Sequence, residues 1–148
     1  MLKLSTKARY ALRAMMELAI REGDGPVQLR EIAKAQAISP KYLEQLAIPL
    51  RHAGLLRTER GPSGGYELAR PAITISALDV VQAVEGPLQL LDCFGPNSDC
   101  ERVSACAARS LWMEVEQAIS KVLADKSLVD LRDNQMAISA NHPLLYYI

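Results

Sequence analysis

Residues 28–68 read QLREIAKAQAISPKYLEQLAIPLRHAGLLRTERGPSGGYEL, and this stretch decides the fold of the chain. The spacing of Leu29, Ile32 and Ala33 predicts a short amphipathic helix. Ser39-Pro40 then starts a second helix, because serine caps helix N-termini and proline fits the first helical position. We expect Gly54 to end that helix, since glycine readily takes the left-handed conformation that follows many helices.

A hairpin follows the second helix. Residues 55–60 and 66–68 have the composition of short strands, and the turn between them, 61–65, is rich in glycine and proline. Helix, turn, helix and hairpin is the order of the winged helix-turn-helix module, which places its second helix in the DNA major groove. Pro49 predicts a kink near residues 45–48 or a new helix start at position 49.

The first helix is predicted to run from Ser5 or Thr6 to about Glu22, with one apolar stripe. Its beginning is crowded with the basic residues Lys3, Lys7, Arg9 and Arg13. Positive charge is unfavourable at the N-terminal end of a helix dipole, so the position of this cluster needs an explanation. Two explanations stay open: the cluster is a solvated surface, or it contacts DNA phosphates.

The charge of the chain is divided between its halves although its net charge is zero. Residues 1–70 hold 12 basic against 7 acidic side chains, a charge of +5, whereas residues 71–148 hold 5 against 10, a charge of −5. A basic half in a helix-turn-helix protein indicates a partner such as double-stranded DNA. We therefore predict a basic binding half and an acidic regulatory half.

The second half contains an irregular cysteine region and a long helix. A Ser-x-x-Asp arrangement at Ser76 predicts a helix start, and the cysteine loop is expected at 92–107. A long helix from about Ala108 to Ala124 should follow, with an apolar side assigned to a homodimer interface; the alternative is that it folds back on its own module. This apolar side consists of Leu111, Trp112, Val115, Ile119 and Val122.

The predicted fold is mainly α with a small β hairpin. A winged helix-turn-helix domain spans 1–72, and a regulatory and dimerisation region spans 73–133, with a short last helix after Ser127. Residues 134–148 lack periodicity and are predicted to form a flexible tail. The longest apolar run is too short for a membrane span, and we expect a cytoplasmic protein without a signal peptide.

The sequence gives no support for an enzyme. Its two histidines, His52 and His142, belong to no Ser-His-acid grouping, and no phosphate loop or HExxH pattern occurs. Three cysteines, an odd number, disfavour a disulfide framework and favour metal binding, redox chemistry or inert thiols.

Two segments together resemble the winged-helix iron–sulfur and redox regulators, the family of IscR, NsrR and CymR. They are residues 38–70, with the motifs YLEQL and RGPSGGY, and Cys93, Cys100 and Cys106 followed by Leu111-Trp112. The resemblance implies a DNA-binding transcription regulator, more often a repressor. It also implies that Arg60 enters the minor groove and that Gly64 lets the hairpin tip approach DNA. Phosphates and base edges would be met by Ser39, Lys41, Tyr42, Glu44 and Gln45.

The same resemblance implies a 2Fe–2S cluster on Cys93, Cys100 and Cys106, since thiolates are the usual ligands of such clusters. The fourth ligand is unidentified. The histidine used by IscR-type members is here Arg109, and the acidic residue used by NsrR-type members is here Ala8. Further candidates for this position are Asp92, Asp99 and Glu101.

Three interpretations of the cysteine loop stay open. They are a cluster-bound sensor, a cluster-free thiol switch, and an inert loop. The thiol switch draws support from Arg109, because a nearby cation makes a thiol such as Cys106 more reactive. A protein partner is a further possibility, because CymR-type regulators act with a metabolic enzyme. A structural zinc site is disfavoured by the lack of a Cys-x-x-Cys motif.

Overall fold

A computed structural model describes residues 4–96 and 98–142 of the chain. Six α-helices, one two-stranded antiparallel sheet and three short 3₁₀ turns follow one another in this part. The helices are α1 (Thr6–Ile20), α2 (Leu29–Gln36), α3 (Pro40–His52), α4 (Ala77–Glu85), α5 (Ala107–Ala124) and α6 (Leu128–Asn141). The strands are β1 (Leu56–Glu59) and β2 (Gly65–Leu68), and the 3₁₀ turns are Ala72–Thr74, Asp92–Phe94 and Val103–Ala105.

The helix-turn-helix forms as the sequence predicts. The α2 helix ends at Ala37, whose backbone is left-handed (φ 51°, ψ 47°), so the chain reverses there without a glycine. The Ser39 hydroxyl accepts a hydrogen bond from the Tyr42 amide at 3.4 Å and caps α3. Gly54 has a φ of 70° and leads into β1. Helix α3 is continuous through Pro49, so the chain does not begin a new helix there.

The hairpin pairs Leu56 with Leu68 and Glu59 with Gly65. Val27, which precedes α2, adds a third short segment through two hydrogen bonds with Tyr66, of 2.9 and 2.8 Å. The hairpin is therefore tied to the start of the helix-turn-helix as well as to the end of α3.

Helix α1 lies at the centre of the fold and packs against α2, α3, α4, α6 and the hairpin. Its buried side chains include Met15 and Leu18. The same core contains Ile75, Val80 and Leu128, so it continues past residue 72. The boundary between a DNA-binding domain (1–72) and a regulatory region (73–133) stays a prediction, because the hydrophobic core is continuous across residue 72.

The starts of α4 and α6 are joined directly. The backbones of Ser76 and Ser127 form an antiparallel bridge, in which the Ala77 amide donates to the Lys126 carbonyl at 2.7 Å and the Leu128 amide donates to the Ile75 carbonyl at 2.9 Å. Both serines begin a capping box with an aspartate three residues later.

The prediction of a flexible tail from residue 134 is wrong for residues 134–141, which continue α6. The sequence 135–137, Gln-Met-Ala, consists of strong helix formers, so a helix persists although no apolar stripe marks it. Most of these side chains are exposed, which explains why periodicity gave no signal. Residues 143–148, including the apolar Leu144-Leu145 pair, lie outside the described residues.

Candidate nucleic-acid interface and cysteine loop

Helix α3 has one buried and one exposed side. Leu43, Leu46, Ala47 and Leu50 belong to the core. Lys41, Glu44 and Gln45 are exposed, and their spacing of three and four residues places them on one strip of the helix. The strip offers a cation, a carboxylate and an amide, which are groups that meet phosphates and base edges in a major groove.

Sequence analysis missed Ile48, which continues the exposed strip four residues after Glu44. Its side chain is 54% exposed although it is large and apolar. An apolar side chain among polar ones on a recognition helix can contact a thymine methyl group. The spacing of four residues from Glu44 already places Ile48 on this strip, but an isoleucine in a helix is more often part of a core.

Tyr42 and Ser39 have structural roles beside the predicted ones. The Tyr42 ring is half-buried and packs edge-on against Tyr10 of α1, with ring centroids 5.8 Å apart and planes at 82°. Ser39 is the N-cap of α3. Their contacts with DNA stay predictions, and both residues also fix where α3 begins.

The hairpin tip carries an unpaired cation. Arg60 is exposed and has no hydrogen-bond or ion-pair partner within residues 4–96 and 98–142. Behind it, Arg57 and Glu67 face each other across the strands with an Nε–Oε1 distance of 2.7 Å. The hydrogen bond and the charge of Glu67 raise the pKa of Arg57. Arg60 is thus left available to an outside anion, whereas Arg57 has a partner in the sheet.

Gly64 is required by close backbone contact rather than by an unusual torsion angle. A Cβ atom at position 64 would lie 2.2 Å from the Glu59 carbonyl oxygen, closer than any side chain tolerates. The Gly64 amide also donates to the Gly61 carbonyl at 3.0 Å, and Gly61 has a φ of 108°. The tip is therefore narrow because its glycines let the two strands approach.

The cysteine loop holds its three thiols in different surroundings. Cys93, in the first 3₁₀ turn of the loop, and Cys106, at the start of α5, are half-buried, whereas Cys100 is exposed. All three are free thiols. Arg109 contacts the turn that contains Cys93: its Nε donates to the Cys93 carbonyl at 3.4 Å, and its guanidinium lies 5.7 Å from the centre of the Phe94 ring.

The loop does not fit a preformed cluster site. No group of three or more Cys, His, Asp or Glu side chains in the described part of the chain is placed to hold a metal ion. The predicted convergence of the three cysteines on one site is therefore not met by this arrangement. The loop contains two 3₁₀ turns and the contact with Arg109, and in this form the three thiols do not make up one metal-binding group.

Helix α5 has no buried residue, although its sequence is amphipathic. Leu111, Trp112 and Val122 are 56%, 41% and 64% exposed. A polar contact joins α5 to the segment before the cysteine loop, since the Glu116 carboxylate accepts a hydrogen bond from the Leu90 amide at 2.8 Å. Val115 and Ile119, on the same side, are half-buried, so the apolar side of this helix is only partly covered by the described part of its own chain. None of the described helices is both long and apolar enough to cross a membrane.

Comparison with known proteins agrees with the geometry. The chain matches, over residues 4–134, the Rrf2 family, described as iron-dependent transcriptional regulators. The HTH-type transcriptional regulator CymR of Bacillus subtilis is 39% identical over 130 residues, which cover 88% of this chain and 89% of the relative. The HTH-type transcriptional regulator IscR of Vibrio vulnificus is 35% identical over 153 aligned positions, covering 97% of this chain and 90% of the relative.

A solved structure shares the fold. The structure of CymR, the global cysteine regulator of B. subtilis, superimposes with a TM-score of 0.76 at 41% identity, covering 90% of this chain and 98% of that chain. The predicted winged helix-turn-helix fold and the predicted regulator function are confirmed, and the relatives are regulators rather than enzymes. The exposed strip of α3, the hairpin with its free arginine and these matches together show that the chain is a DNA-binding transcription regulator of the Rrf2 family.

Proposed function

We propose that this protein binds operator DNA as a homodimer in the cytoplasm, with α3 of each subunit in the major groove and the hairpin tip in the adjacent minor groove. The observation that carries this proposal is the exposed strip of α3, whose opposite side is fixed in the core. The side chains Lys41, Glu44, Gln45 and Ile48 then supply phosphate contact, base discrimination and thymine contact.

Arg60 is the proposed minor-groove contact. Because Arg60 has no ion-pair partner among the described residues, it breaks none of their ion pairs on entering the narrow, negative groove. The glycines at positions 61 and 64 support the same assignment, because they keep the tip slim enough for close approach.

Fluorescence anisotropy tests the DNA assignment. Operator sequences are first selected by the wild-type protein from a random duplex library. Arg60→Ala should then weaken operator binding by about tenfold, or about 1.4 kcal/mol, at constant salt. Lys126→Ala, an exposed lysine in the acidic half, serves as the matched control and should bind like the wild type. Unchanged affinity of Arg60→Ala would remove the hairpin from the interface.

Helix α5 is the proposed dimer interface. Two-fold operators are read by two recognition helices about one DNA turn apart, so a dimer is expected of such a regulator. The exposed apolar side chains of α5, Leu111, Trp112 and Val122, supply a surface that a second copy would bury. Because the cysteine loop leads directly into α5, a change in the loop can alter the spacing of the two recognition helices.

The cysteine loop is the proposed sensor, and two chemistries compete for it. In one, Cys93, Cys100 and Cys106 hold a 2Fe–2S cluster that responds to iron–sulfur, redox or nitrosative state; the three thiols would have to move together for this. In the other, the loop acts without a cluster through thiol oxidation or a protein partner. The second draws support from the lack of a three-ligand metal-binding group among the described residues and from the likeness to CymR, a cysteine regulator.

One preparation separates these chemistries. Protein purified without oxygen from iron-replete cells is analysed for iron, sulfide and visible absorbance. Cluster binding gives coloured protein whose absorbance falls in Cys100→Ser. Colourless, iron-free protein removes the cluster; treatment with hydrogen peroxide, which is reduced to water as a thiol becomes a sulfenic acid, should then change operator affinity in the wild type but not in a variant lacking all three cysteines.

A further inference from the structure

Arg13 of α1 reaches across to the end of α2. Its Nε donates to the side-chain oxygen of Gln36 at 3.1 Å, and its Nη2 donates to the backbone carbonyl of the same residue. The guanidinium also lies over the Tyr10 ring, 5.6 Å from its centre. An exposed arginine that sequence alone leaves between solvent and DNA phosphates is therefore engaged inside the protein.

The carbonyl that Arg13 binds stands at the turn of the helix-turn-helix. Gln36 is the last residue of α2, and the left-handed Ala37 follows it. The final carbonyls of a helix lack partners within the helix, and a cation there is also favoured by the helix dipole. Arg13 thus stabilises the point at which the chain turns toward α3.

The Gln36 side chain is fixed from a second direction. Its amide nitrogen donates to Glu17 at 2.9 Å, and the other carboxylate oxygen of Glu17 accepts from Arg21 at 2.8 Å. Glu17 is only 8% exposed. Both the oxygen and the nitrogen of the Gln36 side-chain amide are thus hydrogen-bonded to residues of α1. The side chain is held in one orientation, in which its oxygen faces Arg13.

The ring beneath Arg13 connects the same network to α3. Tyr10 packs edge-on against Tyr42, which lies in the first turn of α3, at a centroid distance of 5.8 Å. Arg13 therefore contacts the end of α2 directly and the beginning of α3 through one aromatic ring. These two contacts tie the end of α2 and the first turn of α3 to α1.

We infer that Arg13 is a positioning residue for DNA recognition: it holds the helix-turn-helix angle through Gln36 and Tyr10 and makes no phosphate contact. This inference rests on the proposed binding of operator DNA by α3. The inference predicts that loss of Arg13 lowers sequence specificity. A small change in the angle of α3 misaligns base contacts more than it weakens attraction to the phosphate backbone.

The dependence of binding on salt separates this role from a phosphate contact. A lysine or arginine that neutralises a phosphate contributes about 0.9 to the slope of log K against log salt on duplex DNA. Arg13→Met keeps the aliphatic stem and removes the donors. We expect it to bind the selected operator about tenfold more weakly, with an unchanged salt slope and unchanged affinity for unrelated duplex.

Arg13→Lys makes the test sharper. A lysine keeps the charge needed at a phosphate but cannot reproduce the planar fork that holds both Gln36 oxygens. Arg13→Lys should therefore lose operator specificity much as Arg13→Met does. Arg9→Met is the matched control on the same helix, since Arg9 is exposed, and it should leave the ratio of operator to unrelated-duplex affinity unchanged.

Three results would overturn the inference. They are a salt slope reduced by about 0.9 in Arg13→Met, full operator affinity in Arg13→Lys, or an unchanged specificity ratio in both variants at a temperature where each is fully folded. The last result would leave Arg13 with a stabilising role alone. Failure of the proposed function gives a different result, because the wild-type protein itself would then select no operator.

Discussion

The DNA-reading half and the cysteine half of this protein differ in what holds them. In residues 28–70 nearly every element is fixed by the chain itself, through a buried core, a capped helix and a hairpin tied to Val27. In α5 no residue is buried, and the cysteine loop is held by short turns and a few polar contacts. The first region is packed by its own chain, whereas the second exposes apolar side chains of α5 and the thiol of Cys100.

The largest expected effect comes from breaking the core of the first region. Leu50→Ala removes a side chain that is 1% exposed, and this should lower the free energy of unfolding by about 2–5 kcal/mol. Urea denaturation followed by circular dichroism measures the change. Leu111→Ala on α5 is the matched control at low protein concentration, where a monomer should lose less than about 0.5 kcal/mol. Equal losses in both variants would erase the contrast between the regions.

The second effect concerns the outside partner of α5. If a second copy covers this helix, Trp112→Ala should raise the dimer dissociation constant roughly 30-fold, or by about 2 kcal/mol, because buried tryptophans are common centres of such interfaces. Sedimentation equilibrium measures the dissociation constant. Lys121→Ala, on the same helix but with an exposed ion pair to Asp125, is the control. An unaltered dimer in Trp112→Ala would place the interface elsewhere.

The third effect tests the narrow hairpin tip. Gly64→Ala introduces a Cβ atom where the backbone of Glu59 lies 2.2 Å away, so the tip must open. Operator affinity should fall by about tenfold, or about 1.4 kcal/mol, as measured by anisotropy. Ser63→Ala, at the exposed neighbouring position, should have no such effect. Wild-type affinity of Gly64→Ala would show that the shape of the tip does not matter to binding.

A stabilising change is expected within the turn of the helix-turn-helix. Ala37 has a φ of 51°, a left-handed conformation that costs an L-residue about 1–2 kcal/mol. Ala37→Gly relieves this cost but adds chain entropy to the unfolded state, so we expect a net gain of about 0.5 kcal/mol. The midpoint of urea unfolding reports the change. Ala35→Gly, in the last turn of α2, should instead destabilise the protein. A loss of stability in Ala37→Gly would show that the backbone of Ala37 is not strained.

The smallest effect depends on pH. Partial burial would raise the pKa of Asp79, but hydrogen bonds from Ser76 and the charge of Arg70 outweigh it and lower that pKa. A lowered folded pKa gives stability that is present above the unfolded value of about 3.9 and is lost as pH falls through the folded pKa.

The variant Asp79→Asn should therefore be less stable than the wild type at pH 7, by about 0.5 kcal/mol because the carboxylate is 40% exposed. The difference in stability should disappear once the pH falls below the folded pKa of Asp79. Thermal unfolding from pH 7 down to that acidic pH measures the difference, with Asp125→Asn as a surface control. A difference that persists below the folded pKa would assign the stability to shape rather than charge.

Local signals made the first region predictable. Ser39-Pro40, Gly54 and the glycine-rich turn each have a direct effect on the backbone, and all of them act where the sequence placed them. The long helix was equally clear from its spacing and runs from Ala107 to Ala124. Such features depend on residues only a few positions apart, so they can be recognised in the sequence.

Contacts between distant residues were not predictable in the same way. Nothing in the sequence pairs Arg13 with Gln36 or Arg109 with the Cys93 carbonyl, since these partners meet only after the chain has folded. The helix through residues 134–141 was missed for another reason, because exposed helix formers leave no apolar stripe to detect. The arrangement of the thiols likewise depends on tertiary contacts that spacing alone does not fix.

The backbone bridge between Ser76 and Ser127 bears on how proteins of this kind diversify. Residues 87–126 leave after α4 and return beside its first residue, so the core closes behind them. We therefore expect a change in the length of this excursion to leave α1, α2, α3 and the hairpin in place. The same DNA-binding core could then carry different inserts between α4 and α6.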